Sequence, residues 1–466
     1  MMQVDLIVIG AGPAGMAGAR LAADAGLTVA ILDEQHRAGG QIYRDVDIVA
    51  SARGDILGKD YTDGLHLTRA LAHDNIRHIA GATVWIIEEG TRVGYLQAGG
   101  AHVVTGKRIL IATGALERPM PLPGWTLPGV MTAGAGQILL KQSGVLPAQA
   151  VLVGAGPLLY LIASQMVRAG HPPLALIETQ TRAHSLRAAR HLPNALRGWR
   201  YLVKGLSMIR TLRQAGVQRF TAASEIAVEG EGRAEAVSFT VSGKRHRLIC
   251  QTVLLHHGVV PNTQMARALD IPHHWDAAQH CFVPKRDDWG RSPQTSVFLA
   301  GDGTGISGAK AAALEGQIAA LDIATDLGAM AADQRDAQAA ILRRAKSVEL
   351  AARPFLDAAY PPFAGALAPA DDTIICRCEE VRAGDIRACA TLGCTGPNQT
   401  KAFSRAGMGP CQGRYCGLTV TELLAQANGK TYDETGAYRV RAPIKPVTLG
   451  ELSKMTTQTN ESERHD

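Results

Sequence analysis

Aromatic residues make up only 5% of this 466-residue chain, and no apolar run approaches the ~18 residues needed to cross a bilayer. The first scarcity argues against a stacking platform for single-stranded nucleic acid. The second excludes a helical membrane span. Met1–Asp5 leads straight into an apolar strand without a basic leader or cleavage site, so a cytoplasmic protein is expected. Cysteine is scarce until late: six of the eight fall after residue 375, unlike the spread of a disulfide framework. Cys250 and Cys281 read as packed core thiols. Gly39–Arg44 holds no cysteine, which excludes dithiol exchange there. The net charge is +6, and lysines and arginines read as scattered over a solvated surface rather than gathered into a nucleic-acid patch. What remains is 46% hydrophobic residues and 50 glycines, enough core for two or three packed α/β domains.

Against those absences stands a turn suited to phosphate. The apolar run Val4–Ile9 reads as a buried strand, and Gly10-Ala11-Gly12-Pro13-Ala14-Gly15 leads from it into an alanine-rich helix that stops at Gly26. Gly10 permits the sharp bend. Gly12 lets backbone amides reach a pyrophosphate at the helix N-terminus, and Gly15, with Gly18 a turn later, brings the helix close to the sheet. The next strand, Thr28–Leu32, ends in Asp33 and Glu34, where a carboxylate about 20 residues after the glycines would accept the ribose hydroxyls. Asp33 is the first choice and Glu34 the reserve. A second turn, Gly154-Ala155-Gly156-Pro157-Leu158-Leu159, precedes a strand ending in Glu178. Leu159 stands where the third glycine belongs and is expected to push helix from strand. The fold therefore repeats, while an NAD site with Glu178 as its ribose acid does not fully repeat.

Residues 105–114, TGKRILIATG, and 295–303, TSVFLAGDG, resemble the two flavin motifs of the glutathione-reductase superfamily. The resemblance implies FAD in a split domain, 1–120 and 264–330, around a second, NAD-like domain, 121–263. It places Thr113, Gly114, Gly301 and Asp302 at the cofactor beside Gly10, Gly12, Pro13, Ala14, Gly15, Gly40 and Gln41. Asp302 would bind the ribitol, and a helix from near Gly308 would aim its positive end at the flavin. His256 and His257, on the crossover between domains, read as boundary residues rather than catalysts. Residues 331–360 read as helical, with Ile341, Leu342, Ala345, Val348 and Ala352 on one stripe that could pack on its own core or on a partner. A linker runs to residue 370, and the polar chain beyond Leu449 is expected to fray.

Cys376, Cys378, Cys411 and Cys416 form two close-spaced pairs. Four thiolates suit a structural zinc or a [2Fe-2S] cluster, and spacing alone does not separate them. Cys-x-Cys, a helical spacer, then Ala-Gly-Met-Gly-x-Cys and a final Cys resemble the bacterioferritin-associated-ferredoxin-like [2Fe-2S] domain, here 371–430, with a tail 431–466. The last pair departs from that pattern, being spaced C-x4-C. Cys389 and Cys394 read as bystanders.

The ordered set GAGPAGMAG, GALERP, GAGPLL, GDGTGISGA, CRCEEV and GMGPCQGRYC resembles the α subunits of multimeric amino-acid-oxidising flavoenzymes: opine, D-hydroxyproline and proline dehydrogenases and hydrogen cyanide synthase. The resemblance implies an α/β electron-transfer subunit partnered by a separate FAD-containing β subunit that oxidises the amine. In some members it also implies FMN at the contact between the two, or a small third subunit. Electrons would leave through FAD and the cluster to an external acceptor. Competing readings are a stand-alone NAD(P)H-dependent reductase, against which Leu159 speaks, and a zinc-stabilised nucleotide-binding scaffold.

Overall fold

The computed structural model describes residues 2–88 and 91–455. Strand Met2–Ile9 lies inside a seven-stranded sheet, parallel to Val29–Asp33 on one side and to Gly100–Ile111 on the other. Val297–Leu299 returns from far along the chain to pair with Gly100–Ile111. Every residue of Val29–Asp33 is buried, as a parallel strand covered on both faces requires. Helices Pro13–Asp24 and Ala309–Asp326 pack together over the sheet. A Cβ on Gly18 would stand 2.8 Å from the Gly316 carbonyl oxygen, and one on Gly316 would stand 1.9 Å from that of Ala14. These two helices therefore meet at backbone distance, which only glycine allows.

The second unit is a five-stranded parallel sheet in the order Gln218–Phe220, Ala175–Glu178, Ala150–Gly154, Thr252–His256, Val130–Thr132. An antiparallel ribbon, Ala115–Glu117 with Val259–Pro261, joins the two units. After it comes a small unit with its own core of Ile375, Ile386, Val420, Leu423 and Leu424, built on helices Ala383–Thr391, Pro397–Ser404 and Gly417–Asn428. Two Rossmann-type sheets and a C-terminal cysteine-bearing unit thus form as expected. Among the described residues no helix is long and apolar enough to cross a membrane.

Two stretches pack in ways their sequence pattern left open. On helix Ala332–Glu349, Ile341 and Val348 are exposed, and the helix buries Ala339 instead. It is held to Ala309–Asp326 by charge, through Arg335–Asp322 at 3.0 Å and Lys346–Glu315 at 3.6 Å. Between residues 431 and 455 the chain packs back on the first sheet. Val440 and Ile444 enter the core of the first sheet, and the Ile444 amide donates to the Trp85 carbonyl at 2.9 Å. Leu449–Leu452 forms a helical turn capped by Thr448. The expected fraying of residues 456–466 lies outside the described residues.

Candidate functional site: a nucleotide cradle and a four-thiol unit

The first glycine turn is closed by contacts that exclude side chains. Gly10 has φ +105°, and a Cβ there would meet the Ala112 carbonyl oxygen at 2.5 Å; on Gly15 it would meet the Gly10 oxygen at 1.9 Å. Gly40, at φ +60°, lies across the turn from Gly12, with its Cβ position 2.9 Å from the Gly12 Cα, and the Gly39 amide donates to the Ala11 carbonyl at 2.8 Å. Pro13 opens the helix, and Ala14 touches Gly301, whose Cβ position is 2.8 Å from the Ala14 Cβ. The GGQ loop and the second flavin motif thus converge on one helix N-terminus, an arrangement that binds phosphate.

Asp33 sits within this turn: Oδ2 accepts from the Ala11 amide at 2.6 Å and Oδ1 from the Gln35 amide at 2.7 Å. Burial raises its pKa, opposed by those two amides and by His78 and Arg44. Glu34 turns away to pair with Lys445 at 2.8 Å. Thr113 Oγ1 donates to the Asn262 carbonyl at 3.0 Å, and the Asn262 amide donates to the Gly114 carbonyl at 2.9 Å, so the crossover strand seats this pair. Asp302 Oδ1 accepts from the Ser307 amide at 2.8 Å, the Ser307 hydroxyl at 3.0 Å and the Gly308 amide at 2.9 Å. That carboxylate therefore fixes the two residues that lead into helix Ala309–Asp326. Oδ2 makes no hydrogen bond among the described residues.

Two residues here escaped sequence reading. Glu315, inside an alanine-rich helix, accepts from the Gly301 amide at 3.1 Å. Lys141 is buried and donates to the Gln41 and Ile42 carbonyls at 3.0 and 2.9 Å. Burial, reinforced by Arg44, brings its pKa down to about 7. A lysine on the inward side of an apolar helix was the only available signal.

The second turn is differently furnished. Gly154 and Gly156 keep positive φ, +132° and +113°, but the Ala155 amide donates to the His256 carbonyl at 2.8 Å. The His256 ring, held by Glu117 at 2.6 Å, lies 3.3 Å from the Cβ position of Gly156. Leu159 is fully buried in the core of this unit. Glu178 is also fully buried, and Arg219 bonds both its oxygens, at 2.8 and 3.0 Å. The ribose carboxylate of a second nucleotide site is already taken. His257 donates no chemistry outward: its ring contacts the Pro119 carbonyl and the Phe363 amide, and burial holds it neutral.

The four cysteines gather, but not as the neighbours in sequence. Cys416 hydrogen-bonds Cys376, and Cys411 contacts Cys378. The reason is the Gly407–Gly413 loop, which folds back over the Cys376–Cys378 turn: a Cβ on Gly409 would strike the Cys378 Cβ at 2.2 Å, and Gly407 and Gly413 give way to the Tyr438 ring at 2.6 and 2.5 Å. The Cys416 thiol and the amides of Gly407, Glu379 and Cys378 bring the pKa of Cys376 down to about 5, while Cys416 is pushed up. Among the described residues no three His, Cys, Asp or Glu side chains converge as a single metal ion would require. Two facing thiol pairs, one with amide donors aimed at sulfur, are a donor set that fits a dinuclear iron-sulfur centre. Cys389, on helix Ala383–Thr391, and Cys394, in the turn after it, are both buried. Cys250 and Cys281 are buried core thiols whose pKa values burial raises to about 11 and about 12.

This unit sits directly on the flavin-type domain. Leu418, two residues after Cys416, packs with Leu116, Val260 and Cys281, and a cavity of about 60 Å³ between the two is lined by Gly413, Gly417, Tyr438 and Pro261. Trp125 Nε1 donates to the Ile374 carbonyl at 2.6 Å, and Arg414 to that of Ile444 at 2.8 Å.

Residues 4–316 match the pyridine nucleotide-disulphide oxidoreductase family, and residues 371–455 match the sarcosine oxidase A3 domain. The A subunit of opine oxidase from Rhizobium meliloti is 44% identical over 97% of this chain and 98% of its own length. Hydrogen cyanide synthase subunit HcnB of Pseudomonas aeruginosa is 30% identical over 98% of this chain and 100% of its own. Among solved structures, L-proline dehydrogenase from P. horikoshii superimposes with a TM-score of 0.72 at 20% identity, covering 97% of this chain and 79% of that one. The chain is therefore an oxidoreductase that belongs to the pyridine nucleotide-disulphide oxidoreductase family, within the group formed by the opine oxidase A subunits.

Proposed function

We propose that this chain is the electron-transfer subunit of a heteromeric flavin-dependent dehydrogenase that oxidises an amino-acid-derived secondary amine of the opine type. The observation that carries the reading is the seating of the four-thiol unit on the ribbon that leaves the flavin motifs, with Leu418 against Leu116 and Val260. When bound, FAD exchanges two electrons and a [2Fe-2S] centre one, so the pairing converts hydride chemistry to single-electron transfer. Gly12 leaves room for the pyrophosphate while Gly10 and Gly15 let turn, strand and helix close beside it, Gly39 and Gly40 close over it, Asp33 takes the ribose, and Thr113, Gly114, Gly301 and Asp302 flank the flavin end. Cys376, Cys378, Cys411 and Cys416 hold the iron. Amine oxidation falls to a partner subunit, consistent with relatives that are themselves named as subunits.

The opine reading stands ahead of a cyanide-forming one because identity to the opine oxidase relative is 44% against 30% to HcnB. The buried Glu178–Arg219 pair weighs against a stand-alone nicotinamide-dependent reductase. Co-expression with a neighbouring β chain, followed by dye reduction over opines, hydroxyproline, proline, sarcosine and glycine, tests the proposal. Opine-dependent reduction that requires both chains supports it; prompt flavin bleaching of the isolated chain by NADH would sink it.

A further inference from the structure

Tyr438 lies in the stretch that reads as tail, yet it joins the core of the cysteine unit. The spacer helix Pro397–Ser404 fixes it there. Asn398 accepts from the Arg439 amide at 2.8 Å and donates to the Ala437 carbonyl at 3.1 Å, so it grips the backbone on both sides of Tyr438. Lys401, on the same helix, sets its ammonium 4.7 Å from the centre of the ring. On the other side a Cβ on Gly407, Gly413 or Gly417 would stand 2.6, 2.5 or 3.3 Å from that ring. The ring therefore buttresses the loop that carries Cys411 and Cys416, at a density that leaves no room for side chains in between.

Packing explains the ring and not the hydroxyl, since phenylalanine would fill the same space. Tyr438 is 5% exposed, and its hydroxyl has no hydrogen-bond partner among the described residues. A buried donor left unmet is costly, and its neighbours show what would satisfy it. They are the Thr400 hydroxyl and the Cys416 sulfur, with Cys376 also within electrostatic reach. Thr400 is fully buried and donates its only proton to the Pro397 carbonyl at 2.7 Å, so toward Tyr438 it can only accept. The phenol proton thus has two acceptors, a neutral oxygen and a sulfur. Charge separates them: a cysteine that ligates iron does so as a thiolate, and donors bond anions more strongly than neutral groups.

We infer that Tyr438 donates a hydrogen bond to the Cys416 sulfur in the assembled iron-sulfur centre and thereby holds its reduction potential up. The inference rests on the iron-sulfur reading of the four cysteines. Reduction adds negative charge to the centre and its sulfurs, so a donor to sulfur stabilises the reduced form more than the oxidised one. The test is a redox titration of the full chain, with the subunits that co-purify, followed by the paramagnetic signal of the reduced centre. Tyr438→Phe keeps the ring and removes the donor. It should retain iron and labile sulfide while the reduction equilibrium moves about tenfold toward the oxidised form, a fall of ~59 mV for a one-electron couple. Thr400→Val, which removes the competing acceptor at nearly constant shape, should leave the potential where it is. An unchanged potential in Tyr438→Phe with the centre intact overturns the inference and leaves the iron-sulfur reading standing. So does a tenfold rise in Thr400→Val, because the wild-type proton would then be spent on Thr400; this second variant decides the matter should the phenylalanine variant fail to hold iron. Wild-type protein with neither labile sulfide nor a paramagnetic signal overturns both the inference and the reading beneath it.

Discussion

Arg219 grips both carboxylate oxygens of Glu178 at the end of the second Rossmann strand, and Tyr160 stacks over the guanidinium at 5.6 Å. An acid so placed in a working dinucleotide site would face ribose. Here the fully buried carboxylate faces a cation, and removing the cation leaves a buried charge with only the Tyr160 hydroxyl beside it. Arg219→Ala is expected to destabilise the protein by about 3 kcal/mol, read as a lower urea midpoint, and to confer no NADH oxidation. Stopped-flow mixing of the wild-type chain with NADH should leave the flavin spectrum unchanged.

The glycines of the first cradle make a graded series. At Gly15 a methyl group would overlap the Gly10 carbonyl at 1.9 Å, whereas at Gly12 the nearest atom is 3.9 Å away, at Gly40. Gly15→Ala should therefore disturb the helix–strand packing itself and cost more than about 3 kcal/mol. Gly12→Ala should fold normally yet hold FAD at least tenfold more weakly, because the added methyl fills space intended for phosphate. Flavin retained per chain after gel filtration, set beside the melting temperature, distinguishes the two outcomes.

Much of this was legible in the sequence because the relevant signals are local. Strand, turn and helix at Val4–Asp24 follow from apolar run and glycine spacing, and Asp33 is the acid that lies within the cradle. Pairings set by tertiary return were not legible. Nothing in the spacing of Cys376, Cys378, Cys411 and Cys416 tells that the Gly407–Gly413 loop crosses back to face Cys416 with Cys376. Likewise Lys445, in a segment read as tail, reaches Glu34 across the whole fold. The apolar stripe of residues 341–352 is divided: Ala352 is buried, while small alanines and ion pairs hold the helix and leave Ile341 and Val348 outward.

Cys376 and Cys411 differ in surroundings and should differ on substitution. Cys376 is buried beneath the Gly407 loop, and Cys411 is partly open. Both Cys376→Ser and Cys411→Ser are expected to eliminate labile sulfide and the paramagnetic signal of the reduced protein. Cys389→Ser, at a buried bystander, should leave both unchanged. Only Cys376→Ser should also lower the melting temperature of the C-terminal unit, by several degrees, because its sulfur sits in that unit's core. An equal loss in the Cys389 variant would remove that thiol from the bystanders.

Glu422 provides a pH test of the seam between the cysteine unit and the flavin-type domain. Its side chain is nearly fully buried, Oε1 has no hydrogen-bond partner among the described residues, Arg118 acts on it from the facing domain, and the His280 Nδ1 is 3.9 Å away. Burial pushes its pKa up to about 8, with Arg118 opposing. Because the folded-state value lies above the unfolded value near 4.5, the folded protein binds the extra proton between those limits. The contribution of Glu422 to stability is therefore full below pH 4.5 and is lost as pH rises through 8. His280 is held neutral, with its pKa pulled from 6.5 down to about 4; its own contribution, which runs between those values, is common to both proteins and cancels in the comparison. Glu422→Gln, which keeps the shape and removes the titration, should stabilise the protein at pH 8.5 relative to wild type by roughly 1–3 kcal/mol and converge with it at pH 5. Denaturant unfolding at both pH values measures the difference, and parallel curves for the two proteins would mean that the carboxyl is already charged in the folded state.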